Sequence, residues 1–198
     1  GHVVLIYDMV GYNDTIQVSH AFSGRGETLW AFGPLGLQLW NSLRVVDYVA
    51  SLPEVDATRI GATGASGGGT QTFLLAAVDD RIAYAAPVNM VSAYMQGGSA
   101  CENAPGLRLG ISNLDIAAAF APKPMLMTSA TGDWTRRVPQ EEFPAIRRIY
   151  DLYGASDRIS TIQVDAPHNY NQATREAVYR FLDQQAFGRA DEGKEVSA

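Results

Sequence analysis

The sequence of 198 residues contains one cysteine, three histidines and few charged side chains, and these scarcities exclude several classes of protein. Cys101 alone can form neither an intrachain disulfide nor a cysteine-rich zinc site. No stretch reaches the ~18 consecutive apolar residues of a membrane-spanning helix, so we expect no membrane partner. Fifteen Lys and Arg against 21 Asp and Glu give a net charge of −6. Because no run rich in Lys and Arg is present, we also expect no nucleic-acid partner.

The composition is that of one globular domain. With 46% hydrophobic residues the chain is too apolar for disorder, and it is too short for two compact domains. We expect a single domain over residues 1–188 and a frayed polar tail over residues 189–198. Residues 89–121, much of which is rich in Gly, Ser and Asn without strong periodicity, predict an insertion that lies over the sheet and its active site.

The first seven residues (GHVVLIY) predict a buried strand and show no feature of a signal peptide. Because the chain begins inside a core strand, we expect upstream sequence to be missing. Any localisation signal would be lost with that part, and the sheet would either lack its N-terminal strands or be smaller.

Strands alternate with helices along the rest of the chain. Further strands are predicted over residues 55–62, 84–90, 124–130 and 160–164, and helices over residues 34–52, 70–79, 113–121, 141–153 and 172–187. A long polar loop with a short helix is predicted over residues 8–33. Right-handed crossovers between successive strands then produce an α/β fold, a mostly parallel sheet with helices on both faces.

A Gly-x-Ser-x-Gly pattern stands where a predicted strand meets a helix. Residues 64–68 (GASGG) place Ser66 at the turn, where glycine neighbours remove side chains that would collide with the strand and the helix. Such a turn exposes the serine Oγ at the carboxyl edge of the sheet, and the N-terminus of the helix favours negative charge there. Ser66 is therefore the predicted nucleophile.

Two other interpretations of this turn remain open. One is a glycine-rich turn with a solvated serine. The other is the phosphate-binding turn of a dinucleotide-binding fold, which residues 63–68 (TGASGG) resemble. The second is disfavoured because no clear strand ending in a ribose-binding acid follows about twenty residues later, and neither Lys123 nor Lys194 lies in a Tyr-x-x-x-Lys motif.

A serine nucleophile needs a base, and in this type of sheet the order along the chain is serine, acid, histidine. His168 is the one histidine that follows Ser66, because His2 and His20 precede it. Asp133 comes directly after a predicted strand and would emerge at the same edge. We predict a triad of Ser66, Asp133 and His168, although a structural histidine or a capping aspartate would give the same local patterns.

The triad requires an oxyanion hole with two N–H donors. One is predicted to be the backbone N–H of Gly67, the residue after the nucleophile. The other is expected from the loop after the first strand, at Met9 or Val10, since no His-Gly-Gly-Gly motif is present.

The segments GATGASGGGTQT, SATGDWT and DAPHNYN resemble a bacterial α/β-hydrolase group related to acetyl xylan esterases and dienelactone-hydrolase-like enzymes. The resemblance covers nearly the whole chain. It implies ester hydrolysis through an acyl-enzyme, with Ser66 as nucleophile, His168 as general base and Asp133 as its partner. It also implies esterified plant polysaccharides as substrates and export to the periplasm or the cell exterior.

Four further side chains are predicted to contact the substrate. Glu102 and His20 resemble recurrent features of the same group and are expected to line the cleft, with solvated or locally hydrogen-bonded roles as the alternative. Trp134 and Tyr170 are candidates for stacking on a sugar ring, with a position in the core or at the rim as the alternative.

The predicted function is that of a serine esterase without metal or cofactor, which removes short acyl groups, chiefly acetyl, from carbohydrates. A glucuronoyl-esterase-like or peptidase activity at the same triad is the enzymatic alternative. A glucuronoyl site would require a cation beside the nucleophile to hold the uronate, and Ala65 and Gly67 supply none. A hydrolase scaffold that binds without catalysis is the alternative from a different class.

Overall fold

Four parallel strands form the centre of the chain. The computed structural model describes residues 1–22, 24–189 and 193–195. Its strands, in the order β1-β2-β3-β4, form one sheet: β1 (Ile60–Ala65), β2 (Ile82–Val88), β3 (Met125–Gly132) and β4 (Ile159–Pro167). Since consecutive parallel strands need crossover connections, the helices between them must lie against the faces of the sheet.

Six α-helices accompany the sheet in the described residues: α1 (Arg25–Leu29), α2 (Pro34–Ser51), α3 (Gly67–Val78), α4 (Asn113–Ala118), α5 (Glu142–Leu152) and α6 (Gln172–Phe187). The main core contains buried side chains from α2 to α5, among them Val46, Phe73 and Ile146. A smaller cluster joins Val178 of α6 to β2 and β3. Helices therefore cover both faces, and the predicted α/β fold class is confirmed.

The strand predicted over residues 55–62 begins later than expected. Asp56 accepts hydrogen bonds from the backbone N–H of Thr58 and the Nε–H of Arg59, so residues 56–59 form a turn. The strand starts after that turn, at Ile60, and runs to the residue before Ser66. The later boundary places Ser66 directly at the end of β1.

The strand predicted over residues 1–7 is wrong. These residues pair with no strand in the described part of the chain, and the side chains of Val4 and Ile6 are 75% and 88% exposed. A cavity of about 470 Å³ is lined by this segment and β1. Because residues 1–7 pair with no described strand, their backbone groups lack the partners that a strand would supply. Single polar contacts hold the segment instead, such as the Tyr7 hydroxyl with Ser42 Oγ at 2.7 Å.

The remaining predicted regions differ in outcome. Residues 89–121 contain α4 and a short 3-10 helix over Ala100–Glu102, and their role as an insertion over the site stays a prediction. In the tail, residues 190–192 and 196–198 lie outside the described residues. Glu195 is not frayed, because its carboxylate accepts hydrogen bonds from Arg175 of α6 at 2.5 and 2.7 Å. No described helix is long and apolar enough to cross a bilayer.

Candidate active site

Ser66 occupies a strained turn between β1 and α3. Its backbone has φ 57° and ψ −121°, a conformation that residues other than glycine seldom adopt. The Ser66 N–H donates to the carbonyl of Val88 on β2 at 3.0 Å, and this bond fixes the turn to the sheet. The Ser66 side chain makes no capping hydrogen bond to α3, so its Oγ lies at the N-terminus of the helix without bonding to it.

The glycines around Ser66 have different roles. A Cβ at Gly64 would lie 2.6 Å from the Gly68 carbonyl oxygen, and one at Gly69 would lie 2.7 Å from Cβ of Met90. A Cβ at Gly68 would meet nothing within 4 Å. The prediction that both flanking glycines avoid side-chain collisions is therefore wrong for Gly68. Instead, Gly64 allows the strand and the helix to approach, and Gly69 allows α3 to pack against β2.

Asp133 and His168 form a direct pair. The distance from His168 Nδ1 to Asp133 Oδ2 is 2.7 Å, and only 2% of the Asp133 side chain is exposed. The other carboxylate oxygen, Oδ1, accepts hydrogen bonds from the N–H and the hydroxyl of Thr135 at 2.6 and 2.5 Å. Because both oxygens have partners, the carboxylate has a fixed orientation. The bond to Nδ1 leaves the imidazole Nε2 as the nitrogen for proton transfer.

Trp134 packs against the imidazole. The ring centroids of Trp134 and His168 are 4.3 Å apart with an interplanar angle of 35°. The Trp134 carbonyl accepts a hydrogen bond from the hydroxyl of Ser92 at 3.0 Å, which ties this loop to residues after β2. Trp134 thus packs against both the predicted base and the main core, and its stacking on a sugar remains a prediction.

The strand topology explains why these side chains share one edge. Ser66 follows β1, Asp133 follows β3 and His168 follows β4, and the carboxyl ends of parallel strands meet at the same side of a sheet. The segment between β2 and α4 contributes Ser92 and Glu102 to the same region. In the described part of the chain Ser66 Oγ makes no direct hydrogen bond to His168.

Gly67, the first residue of α3, has two predicted site residues beside it. The position of a Cβ on Gly67 would lie 3.5 Å from Glu102 Oε1 and 3.7 Å from the Met9 terminal methyl. Val10 is different, because its N–H donates to Oε1 of buried Gln38 at 2.6 Å. That N–H already has a partner in the interior, and the assignment of an oxyanion donor to Met9 or Val10 stays a prediction.

Local bonds fix the Glu102 carboxylate beside Gly67. Oε2 accepts from the N–H groups of Gly98 and Ser99, at 2.5 and 3.1 Å, and Oε1 faces the nucleophile turn. Arg108 donates to the Glu102 carbonyl at 3.0 Å and to Asn113 Oδ1 at 2.9 Å. Burial lowers the pKa of the Arg108 guanidinium, and the Glu102 carboxylate opposes that shift. The site thus has a carboxylate next to the predicted oxyanion donor.

The other two predicted substrate contacts lie elsewhere. His20 Nδ1 is 2.6 Å from the Val10 carbonyl oxygen, and its ring packs edge-on against Tyr12. Burial raises the pKa of the Tyr170 hydroxyl, and the nearby Thr63 side chain on β1 opposes that shift. Thr63 shares a strand face with Ala65, which packs in the cluster beneath α6. Neither side chain contacts the Asp133–His168 pair in the described residues, and their substrate roles stay predictions.

Two buried polar residues of the site, Thr135 and Asn89, were not predicted from the sequence. Thr135 follows Asp133 by two positions, and this spacing is typical of a turn closed by an aspartate side chain. Asn89 follows β2 directly, and a polar residue at the end of a buried strand is the signal that could have revealed it. The described residues include no cluster of three His, Cys, Asp or Glu that could hold a metal ion.

The known proteins that this chain resembles are named as hydrolases or esterases. The acetyl xylan esterase family model matches residues 39–96. Putative hydrolase YtaP of Bacillus subtilis (strain 168) is 26% identical over 199 residues, covering 92% of this chain and 64% of that protein. The solved structure of Methylesterase BT1017 is 36% identical with a TM-score of 0.79, covering 96% of this chain and 44% of that one.

A more distant structure shares the fold. A carbohydrate esterase family 15 glucuronoyl esterase from Caldicellulosiruptor kristjansonii is 20% identical, with a TM-score of 0.68, over 89% of this chain and 58% of that one. The chain therefore spans about half to two thirds of the length of these relatives. The resemblance to α/β-hydrolases of the acetyl xylan esterase group, indicated by the motifs, is confirmed.

Proposed function

We propose that this chain carries the catalytic centre of a serine esterase that hydrolyses esters of carbohydrates. The observation that carries the proposal is the placement of three groups at one sheet edge: a serine in a strained strand-to-helix turn, and a buried aspartate bonded to a histidine. A solvated serine in an ordinary glycine turn would need neither the backbone strain nor the paired imidazole. The similarity to named esterases supports the same class of reaction.

Ser66 would act as the nucleophile. As substrate binds, His168 Nε2 accepts the Ser66 hydroxyl proton while Oγ attacks the ester carbonyl. The oxygen of the tetrahedral intermediate receives the N–H of Gly67 at the start of α3, where the helix dipole favours negative charge. His168 then returns the proton to the leaving alcohol, and an acyl-serine remains. Water, activated by the same imidazole, releases the acid.

Asp133 would fix the imidazole tautomer. Its bond to Nδ1 keeps that nitrogen protonated, so Nε2 presents a lone pair, and the carboxylate stabilises the imidazolium that forms. The Ser66–His168 contact would form on substrate binding, because nucleophile–base contacts are often long in empty sites and tighten in the complex.

We propose a hydroxyl-bearing carbohydrate with a short acyl group as the substrate. The Glu102 carboxylate beside Gly67 can accept hydrogen bonds from sugar hydroxyls. The match to the acetyl xylan esterase family supports acetyl as the acyl group. The methyl ester of a sugar acid is the second candidate, supported by the 36% identity to a methylesterase.

Covalent labelling tests the proposal. We expect a fluorophosphonate probe to add one mass increment to the wild-type chain and none to Ser66→Ala, as measured by intact mass spectrometry. Ser51→Ala, an exposed serine at the end of α2, is the matched control and should label like wild type. A folded wild type that takes no label would contradict the serine mechanism and leave the binding scaffold as the interpretation.

The small product that is released decides between the two substrates. Acetate release from acetylated xylan, together with faster turnover of p-nitrophenyl acetate than octanoate, is the expected result. Methanol release from methyl glucuronate without acetate release would favour the second candidate. Both assays use Ser66→Ala as the blank, so that any residual hydrolysis is assigned to contaminants.

A further inference from the structure

Asn89 lies between the elements that bear the three proposed catalytic groups. It directly follows Val88, the last residue of β2, whose carbonyl accepts the N–H of Ser66 at 3.0 Å. Its own side chain reaches the loop after β4, where Nδ2 donates to the carbonyl of Asn169 at 2.9 Å. Asn169 is the neighbour of His168. The buried Asn89 side chain therefore links the end of β2, which bonds the Ser66 N–H, to the loop that bears His168.

The other half of the Asn89 amide is fixed to the third element. Oδ1 accepts the hydroxyl proton of Thr128 on β3 at 2.9 Å, and the Asn89 N–H lies 3.2 Å from both the carbonyl and the hydroxyl oxygen of Thr128. Five residues beyond Thr128 along the chain is Asp133. Asn89 thus bonds at once to the strand that leads to the acid and to the loop that bears the base.

Asparagine is suited to the two side-chain hydrogen bonds that position 89 makes. Only an amide of this length offers a donor to one carbonyl and an acceptor to a hydroxyl in one plane. Aspartate would direct a second acceptor at the Asn169 carbonyl, and leucine would leave both partners without a bond. Asn89 is fully buried and has φ 48°, and asparagine is among the few residues other than glycine that tolerate this conformation.

We propose that Asn89 is a positioning residue that holds the His168 loop where Nδ1 keeps its 2.7 Å contact with Asp133 and Nε2 can accept the Ser66 proton. The proposal rests on the proposed function for the role of His168, whereas the positioning itself is a property of the fold. The loop has further described contacts: Asn169 Oδ1 accepts from the Thr174 hydroxyl, Arg175 of α6 donates to the Tyr170 carbonyl, and the His168 ring packs against Trp134. The bond from Asn89 is the one of these that joins the loop backbone to the end of β2.

Asn89→Gly is the most informative variant. Glycine adopts φ 48° without strain, so the substitution removes the side chain while preserving the backbone, and Asn89→Asp serves as the conservative second variant. Thr161→Val is the matched control, because it removes one hydrogen bond from a β4 side chain to the Met127 carbonyl away from the site. Thermal unfolding of all three variants identifies losses of activity that result only from lower stability.

Measurement of kcat separates a positioning role of Asn89 from a role in stability. We expect Asn89→Gly to lower kcat for p-nitrophenyl acetate by about 10- to 100-fold with KM little changed, because displacement of a catalytic group by ~1 Å can cost 10²-fold. Asn89→Asp should lose a similar factor, and Thr161→Val should retain kcat even if its Tm falls. Wild-type kcat in Asn89→Gly at a temperature where it is folded would overturn the proposal.

A second readout does not depend on activity. The imidazole N–H that bonds Asp133 should give a far-downfield proton resonance, assigned by its loss in His168→Gln. We expect it to broaden or disappear in Asn89→Gly, through exchange with water, and to persist in Thr161→Val. A resonance unchanged in Asn89→Gly, or absent from wild type, would overturn the positioning role. If wild type lacks both turnover and labelling while the resonance still depends on Asn89, the proposed function fails and the positioning stands.

Discussion

Two aspartate–histidine contacts of nearly equal length lie in very different regions of this protein. Asp133 and His168 are 2.7 Å apart at the carboxyl edge of the sheet, and Asp183 and His2 are 2.8 Å apart where the N-terminal segment touches α6. The Asp133 side chain is 2% exposed and has further bonds to Thr135, whereas that of Asp183 is 22% exposed. Burial and additional partners, not distance, distinguish a fixed pair from an incidental one.

The largest expected effect comes from the two matched aspartates. Asp133→Asn should lower kcat for p-nitrophenyl acetate by about 10³- to 10⁴-fold, because an amide permits the imidazole tautomer with its proton on the wrong nitrogen. Asp183→Asn changes the same atoms at the other contact and should leave kcat at the wild-type value. Steady-state kinetics at pH 7.5 measures both. Equal losses in the two variants would show that the contacts do not differ in function.

The same contrast applies to apolar side chains. Phe73 in α3 is 1% exposed within the main core, and Ile6 in the N-terminal segment is 88% exposed. Phe73→Ala should reduce the free energy of unfolding by about 3–5 kcal/mol through lost burial and a cavity. Ile6→Ala should change it by less than about 0.5 kcal/mol. Urea denaturation followed by tryptophan fluorescence tests both, and a large loss in Ile6→Ala would mean that residues 1–7 pack more tightly in solution than in this structure.

The two regions also explain what could be predicted from the sequence. Strand, turn and helix around Ser66 are local, because glycines, an apolar run and a helical period are adjacent in the chain. Placement of Asp133 after a strand needs only the rule that parallel strands end at one edge. These patterns predicted the fold class, and they predicted the two residues that the structure pairs at 2.7 Å.

Features that depend on contacts distant in the chain could not be predicted in this way. The apolar residues 1–7 have the composition of a strand, but a strand requires a partner, and composition does not specify one. The bond from Val10 to Gln38 joins residues 28 positions apart, and that from Asn89 to Asn169 joins residues 80 apart. No local periodicity encodes either contact, so neither the partner of the Val10 N–H nor the bonds of Asn89 could be predicted.

A third aspartate tests whether burial of the carboxylate decides its contribution to stability. Asp79, whose side chain is 5% exposed, accepts hydrogen bonds from Arg81 Nε–H and Nη2–H at 2.9 and 2.6 Å. Hydrogen bonds from the Arg81 side chain lower the pKa of Asp79, and desolvation opposes them. Since the folded pKa lies below the unfolded value of about 3.9, the stabilisation is present above that pH and is lost as the pH falls through the folded pKa.

Asp79→Asn should therefore reduce the free energy of unfolding by about 1 kcal/mol at pH 7, a modest figure because the Arg81 side chain is 41% exposed. Asparagine retains an acceptor for the Arg81 backbone N–H, so the variant removes mainly the charge. The difference from wild type should shrink as the pH falls from about 4, where the unfolded-state carboxylate begins to be protonated, through the lower pKa of the folded state. Asp183→Asn, at the more exposed contact, should differ from wild type by less than about 0.5 kcal/mol at pH 7. Urea titrations at several pH values compare the two, and a deficit in Asp79→Asn that persists undiminished in acid would assign its effect to packing instead of charge.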